Sequence, residues 1–270
     1  MTDALSMHTT ELAAGGGACT LTQLLGACDA LMQPQGIQDH GLNGLQVQGR
    51  ETVRRLVCGV TASRALIEAA IAADADALLV HHGLFWRGQS VYVRGWLRER
   101  LRLLLGHDVS LLAYHLPLDA HPELGNNVQI AARLGLTVEE HFDEHDIGCI
   151  GRRADGGAFA NAEELRALLE RVLGRSVLCV DGSGGAPIER IAWCSGGAQG
   201  RLQVAINAGA QAYITGEISE PQPHLARECG VAFFACGHHA TERYGVQAFA
   251  QRVAQQLGIA CQFIDVDSPA

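Results

Sequence analysis

Leu78-Leu79-Val80-His81-His82-Gly83 is the stretch on which the reading of the fold turns. Its apolar residues read as a buried strand whose carboxyl end delivers two adjacent histidines. Open α/β sheets hold their ligands at strand carboxyl ends. Neighbouring residues of a continuing strand point to opposite faces. Both imidazoles can enter one crevice only if the backbone bends, and Gly83 permits that bend at once. Taken alone, a His-His pair reads better as part of an ordinary polar loop, so the rest of the chain has to decide.

Working outward, residues 56–60 read as a strand, and Thr61 or Ser63 caps a helix running to about residue 73. Charged residues at 94, 98, 99, 100 and 102 lie among leucines, which predicts an amphipathic helix over 94–105. Residues 109–114 read as a further strand, followed by His115-Leu116-Pro117-Leu118-Asp119-Ala120-His121 and a helix over 128–134 that Gly135 stops. Upstream, residues 21–32 have helical spacing, with Thr20 or Thr22 as cap and Pro34 and Gly36 closing it. Asn43-Gly44 marks a turn into a short extended piece. Downstream, a strand over 147–152, a helix from Asn161 to Leu173 and a strand over 177–180 lead into the linker Asp181-Gly182-Ser183-Gly184-Gly185.

After this linker the first pattern returns. Residues 56–80 lie over residues 191–215 without a gap: Ala70, Ile71, Ala73, Ala75 and Ala77 meet Ala205, Ile206, Ala208, Ala210 and Ala212. Residues 109–113 lie over 231–235 in the same way. A gapless run followed by a second correctly placed strand points to an internal duplication. The fold class is α/β, with two repeat units and mostly parallel or mixed sheets. The expected organisation is a loose tail over 1–19, a first α/β unit over 20–136, a middle strand–helix–strand segment over 137–190 and a second α/β unit over 191–270.

The composition is that of a globular protein: 48% hydrophobic and 18% charged over 270 residues. A net charge of −9 counts against a general nucleic-acid binder, which would show a basic face. Nine cysteines include no Cys-x-x-Cys pair, and several sit in apolar runs, which suggests reduced thiols in a cytoplasmic protein. No run approaches the roughly 20 apolar residues of a membrane span. The first residues lack the basic start and apolar centre of a signal peptide.

Gly237-His238-His239-Ala240-Thr241-Glu242 follows the last repeated strand. His238 and Glu242, four apart, share one face of a helical turn. With His81, His82 and Asp119 they all lie just past the carboxyl ends of predicted strands. Three imidazoles and two carboxylates exceed what one tetrahedral metal needs. They suit two divalent metal ions, and mixed N/O donors fit Zn, Fe, Mn, Co or Ni without choosing among them. Asp119 and Glu242 fall one alignment position apart in the two copies, so copies packed about a pseudo-twofold axis would bring these carboxylates together. His115, His121 and His239 stand nearby as residues that orient ligands or move protons, or as plain loop histidines. The loop Ser195-Gly196-Gly197-Ala198-Gln199-Gly200-Arg201 reads either as an anion cradle at a helix start or as a flexible turn. Phe85, Trp86 and Arg87 offer a stacking surface or ordinary packing. No cofactor-binding motif and no Gly-x-Ser-x-Gly is present.

These residues together resemble the Nif-three-like dinuclear metal-binding family, whose members are often labelled GTP cyclohydrolase I type 2 homologs. The resemblance rests on Asn43-Gly44-Leu45-Gln46-Val47, Val80-His81-His82-Gly83, His115-Leu116-Pro117-Leu118-Asp119 with Gly125-Asn126-Asn127, Thr215-Gly216-Glu217 and Gly237-His238-His239-Ala240-Thr241-Glu242. It implies two intertwined α/β units with a dimetal site between them, and metal ligands at His81, His82, Asp119, His238 and Glu242. It also implies a homo-oligomer, a toroidal hexamer with its metal sites facing an internal cavity. Many members carry a tyrosine where this chain has His239, which leaves the ligand set intact.

Two functions follow. One is a metal-dependent hydrolase acting through metal-bound hydroxide on a small, nucleotide-like substrate, with His115 or Glu217 as the catalytic proton carrier. The alternative is a non-catalytic metal-binding or regulatory oligomer. A nucleic-acid-acting ring would rest on the toroid alone, and the acidic charge opposes it; no membrane partner is expected.

Overall fold

A computed structural model describes residues 7–90 and 92–270; residues 1–6 of the expected tail lie outside them. The chain forms two compact units, Met1–Leu124 with Gly245–Asp267, and Gly125–Tyr244 with Ser268–Ala270.

The first unit is built on a six-stranded sheet. Its order is Met7–Ala13, Ala260–Val266, Arg55–Thr61, Ala77–His82, Ser110–Ala113 and Gly44–Val47. The four inner strands are parallel and the two edges antiparallel. The Ala77–His82 strand is buried on both sides, which is why it reads as an unbroken apolar run. Leu79 belongs to one core with Leu24, Cys28, Tyr114 and Phe249, while Leu78 and Val80 belong to the other with Leu66, Ile67 and Leu104. Each such leucine contributes about 1.5–3 kcal/mol by leaving water. The flanking helices start where the capping residues dictate. Thr20, rather than Thr22, caps Leu21–Met32 in a reciprocal box with Gln23. Ser63 caps Arg64–Ala72 by accepting from Leu66 N at 3.1 Å.

The second unit has its own six-stranded sheet, ordered Leu178–Asp181, Ala232–Ala235, Ala212–Thr215, Ile191–Trp193, Gly148–Arg153 and Leu136–Phe142. Ile191–Trp193, Ala212–Thr215 and Ala232–Ala235 are parallel neighbours in chain order. Arg55–Thr61, Ala77–His82 and Ser110–Ala113 are the same in the first unit. The duplication seen in the alanine pattern is therefore a duplication of three parallel strands with their crossover helices.

Three expectations about organisation change. Residues 7–13 are not a loose tail: they pair antiparallel with Ala260–Val266. Met-His-Thr-Thr-Glu-Leu-Ala lacks apolar alternation because an edge strand with little burial is held by main-chain bonds. The middle segment is not separate either. Leu136–Phe142, Gly148–Arg153 and Leu178–Asp181 all join the second sheet, and Leu165, Leu169 and Leu173 of the helix Ala162–Leu173 enter its core. Residues 245–267, expected with the second repeat, belong to the first unit, where Ala260–Val266 pairs in parallel with Arg55–Thr61. Apolar patterning shows that a strand is buried but not which sheet it joins. Among the described residues no helix is long and apolar enough to cross a membrane.

Candidate metal centre

In the first unit the strand Ala77–His82 carries both histidines at its end, with His81 fully buried and His82 half-buried. Their ring centroids lie 4.6 Å apart. At the turn that follows, the Gln46 amide lies close against Gly83, where a Cβ would displace it, and its Oε1 accepts from Leu84 N at 2.7 Å. His81 Nδ1 lies 3.0 Å from the carbonyl oxygen of Tyr114. A carbonyl only accepts, so Nδ1 carries the proton and Nε2 the lone pair. Nε2 is the nitrogen turned to Asp119, 3.5 Å from Oδ2. Asp119 is buried at the end of the short helix Leu116–Asp119. His82 Nδ1 is bonded to Thr61 Oγ1 at 3.1 Å.

His115 sits beside this pair, its ring centroid 5.0 Å from that of His81 and 5.6 Å from that of His82. Trp86 meets His115 edge to face at 5.0 Å, so the aromatic run after the histidine pair packs against the centre. The ligand atoms of His81, His82 and His115 lie within 4.8 Å of one another.

In the second unit the helix His238–Leu257 opens with the other expected donors. His238 Nε2 lies 3.1 Å from Glu242 Oε2, as the i,i+4 spacing predicted. His238 Nδ1 lies 2.7 Å from Glu217 Oε1, and Gln199 Nε2 donates to Glu217 Oε2 at 3.2 Å. Burial alone would push the His238 imidazole down. The hydrogen bond and charge of Glu242, then those of Glu217, raise it to about 9 instead. Glu217 thus orients His238.

Three N–H groups of the glycine-rich loop are engaged within the protein. Ser195 N donates to Asn127 Oδ1 at 2.8 Å, Gly196 N to Thr241 Oγ1 at 3.0 Å and Arg201 N to Ala198 O at 3.0 Å. Arg201 pairs with Asp143 at 2.7 Å. Gly196 has φ +67°, and a Cβ there would strike Glu242 Oε1. The glycines let the loop pass close to the His238–Glu242 pair. His121 Nδ1 accepts from Glu123 N and Leu124 N, closing a turn. His239 N donates to Ala270 O at 3.2 Å. Of the arginines near the helix Gly95–Gly106, Arg98 and Arg102 pair with Glu99, and Arg100 and Arg94 lie over Trp96 and Tyr92.

Sequence reasoning missed Asp39. It is buried, and its carboxylate accepts from Gly41 N, Asn43 Nδ2, Leu116 N and His115 Nδ1 at 2.8–2.9 Å. The only signal was its place just before the Asn43-Gly44 turn. Asn127 entered only through the resemblance, with no role given; its side chain bonds Ile147 O and Ser195 N while its carbonyl accepts from Trp193 Nε1.

The donor set fits divalent metal. Donor atoms on one tetrahedral ion at about 2.1 Å lie ~3.4 Å apart, close to the separations in the His81–Asp119 and His238–Glu242 pairs. Each of the three expected ligand imidazoles also has Nδ1 engaged, which presents Nε2.

Residues 19–269 match the family model for DUF34/NIF3 (NGG1p interacting factor 3). The chain belongs to the DUF34/NIF3 family. Among NIF3 relatives, a Pseudomonas aeruginosa protein named GTP cyclohydrolase 1 type 2 homolog is 51% identical over 256 residues, 94% of this chain and 100% of its own. A solved structure described as protein ybgI, of unknown function, superposes with a TM-score of 0.89 at 43% identity, covering 93% of this chain and 100% of that one. A structure from Thermus thermophilus gives 0.83 at 32% identity, covering 93% and 99%. The NIF3 match spans both units, as the sequence resemblance led one to expect.

Proposed function

We propose that this NIF3-family chain is a dinuclear divalent-metal protein and a hydrolase of a small, nucleotide-like substrate. His81, His82, Asp119, His238 and Glu242 hold the two ions. The observation that carries this reading is the donor geometry: within each unit an imidazole Nε2 faces a carboxylate at 3.1–3.5 Å while its Nδ1 is held elsewhere. Structural packing alone does not call for that orientation in both units. The relatives named GTP cyclohydrolase 1 type 2 homolog support a cyclohydrolase-like reaction.

Bound divalent metal supplies Lewis acidity and makes water acidic near neutral pH. The residues supply the rest. Tyr114 fixes the His81 tautomer through its carbonyl. Glu217 fixes His238. Half-buried Trp86, 6.0 Å from the His82 ring, offers a wall for a planar base. The family resemblance supports a ring of six copies, and nine free cysteines support a reducing, cytoplasmic compartment.

The test is turnover. Metal-stripped protein is reloaded and given GTP and related nucleotides beside a His82→Ala control. Metal-dependent hydrolysis lost in the control supports the reading. No turnover with any nucleotide contradicts the hydrolase reading.

A further inference from the structure

The strand Met7–Ala13 precedes the family match, which begins at residue 19, so its role is a question about this chain. It covers one edge of the first unit's sheet by pairing antiparallel with Ala260–Val266, whose inner side pairs with Arg55–Thr61. Without this cover, the outer N–H and C=O groups of Ala260–Val266 would form the sheet edge.

The covered strand has the chemistry of a template. Ala260, Cys261, Phe263, Ile264 and Val266 are apolar, and Asp265 is its single charge. Cys261 and Phe263 enter one core and Ile264 the other. An apolar edge strand without proline or lysine recruits another strand to its open main-chain groups. The covering strand is of another kind. Residues 7–11 are Met-His-Thr-Thr-Glu and all are exposed. Its pairing register shifts between Glu11 and Ala13. Exposed polar side chains and a bulge blunt an edge.

Several contacts fasten the cover. Leu12 and Ala13 pack against the core, and Leu12 O accepts from Gln251 Nε2 at 3.2 Å. Gly17 N donates to Gly258 O at 2.9 Å. A Cβ on Gly15 would strike the main chain of Ile259, whereas one on Gly16 would meet nothing within 4 Å. Glycine at position 15 therefore lets the chain pass close to the start of Ala260–Val266.

We propose that Met7–Ala13 guards this edge, and that Ala260–Val266, once uncovered, pairs with the same strand of a second copy. The strand is its own complement. Antiparallel pairing about a twofold axis at Phe263 sets Ala260 against Val266, Cys261 against Asp265 and Gln262 against Ile264, so no like charges meet.

The test compares the wild-type chain with Gly15→Val, Gly16→Val and a chain lacking residues 2–13, by sedimentation equilibrium over a range of concentrations. Gly15→Val and the shortened chain should reach at least about twice the wild-type mass at high concentration. Gly16→Val should match the wild type. Because each mass is taken relative to the wild type, assembly through other faces cancels. A synthetic peptide of residues 7–17 should return the shortened chain to the wild-type mass. Hydrogen exchange should show the amides of Ala260–Val266 protected with the peptide and in the associated form, and exposed in the dilute shortened chain. A shortened chain of wild-type mass at every concentration overturns the inference. So does association that the peptide leaves intact, or that leaves Ala260–Val266 unprotected, because another surface would then be responsible. If the shortened chain precipitates, solubility restored by the peptide supports the guard, and precipitation despite the peptide overturns it.

Discussion

Glu217 and His238 meet through Oε1 and Nδ1 at 2.7 Å, and the same imidazole turns Nε2 to Glu242 at 3.1 Å. One carboxylate orients the ring and the other shares its ligand side. Glu217→Ala removes the orienting contact and leaves every proposed ligand in place. Metal affinity is expected to fall about 10–100-fold. Because the Glu217 side chain is 41% exposed, the melting temperature of the metal-free protein should hardly move. Competition against a chromophoric chelator reads the affinity; a value equal to wild type contradicts the role.

The same geometry sets a pH dependence. The two carboxylates raise His238 from 6.5 to about 9 in the metal-free fold. A raised folded-state value stabilises the metal-free protein fully below about pH 6.5, and that contribution is lost as pH rises through about 9. A metal takes the deprotonated imidazole, so binding at pH 7 must release this proton, and affinity rises with pH until about 9. Proton release in weakly buffered solution on adding Zn2+ should therefore be larger at pH 7 than well above pH 9. Equal release at both would contradict the arrangement.

Gly196 tests the loop. Its φ of +67° and the place of Glu242 Oε1 leave no room for a side chain. Gly196→Ala should cost about 1–3 kcal/mol in stability and also displace Glu242, lowering metal uptake. Gly200, where a Cβ would meet nothing within 4 Å, is the control, and Gly200→Ala should leave uptake unchanged. Loss of uptake in both would point to general unfolding instead.

Asn127 tests the support beneath that loop. Its buried amide bonds Ile147 O at 2.9 Å and Ser195 N at 2.8 Å. Asn127→Ala leaves two backbone groups without these partners, at about 1–3 kcal/mol each. Denaturant unfolding should show a loss of at least about 1 kcal/mol; a wild-type midpoint would mean that neither bond stabilises the fold.

The fold and the centre differ in how far the chain reveals them. His81-His82 and His238-x-x-x-Glu242 are legible because chemistry and local spacing coincide in one short stretch. The parallel strands are legible because burial on both faces leaves apolar runs, and the repeat shows in residues 70–77 against 205–212 because each copy runs from a helix end through a tight turn into a buried strand. Asp39 is invisible for the opposite reason. It meets His115 across 76 positions of sequence, and a lone aspartate before a turn has many ordinary uses. Glu217 could be named as a candidate from its place after a repeated strand, but not its contact with His238, since the two lie 21 positions apart. The strand Met7–Ala13 hides because its stability comes from main-chain bonds to Ala260–Val266, which leave no mark on side-chain pattern.

The central claim is that five side chains hold two divalent ions. Elemental analysis of protein purified without added metal or chelator, with the chain concentration measured independently, tests it most directly. About two equivalents of divalent transition metal per chain are predicted, falling in the single variants His82→Ala and Glu242→Gln. A wild-type chain that contains no metal and takes up none from Zn2+, Fe2+, Mn2+, Co2+ or Ni2+ would contradict it.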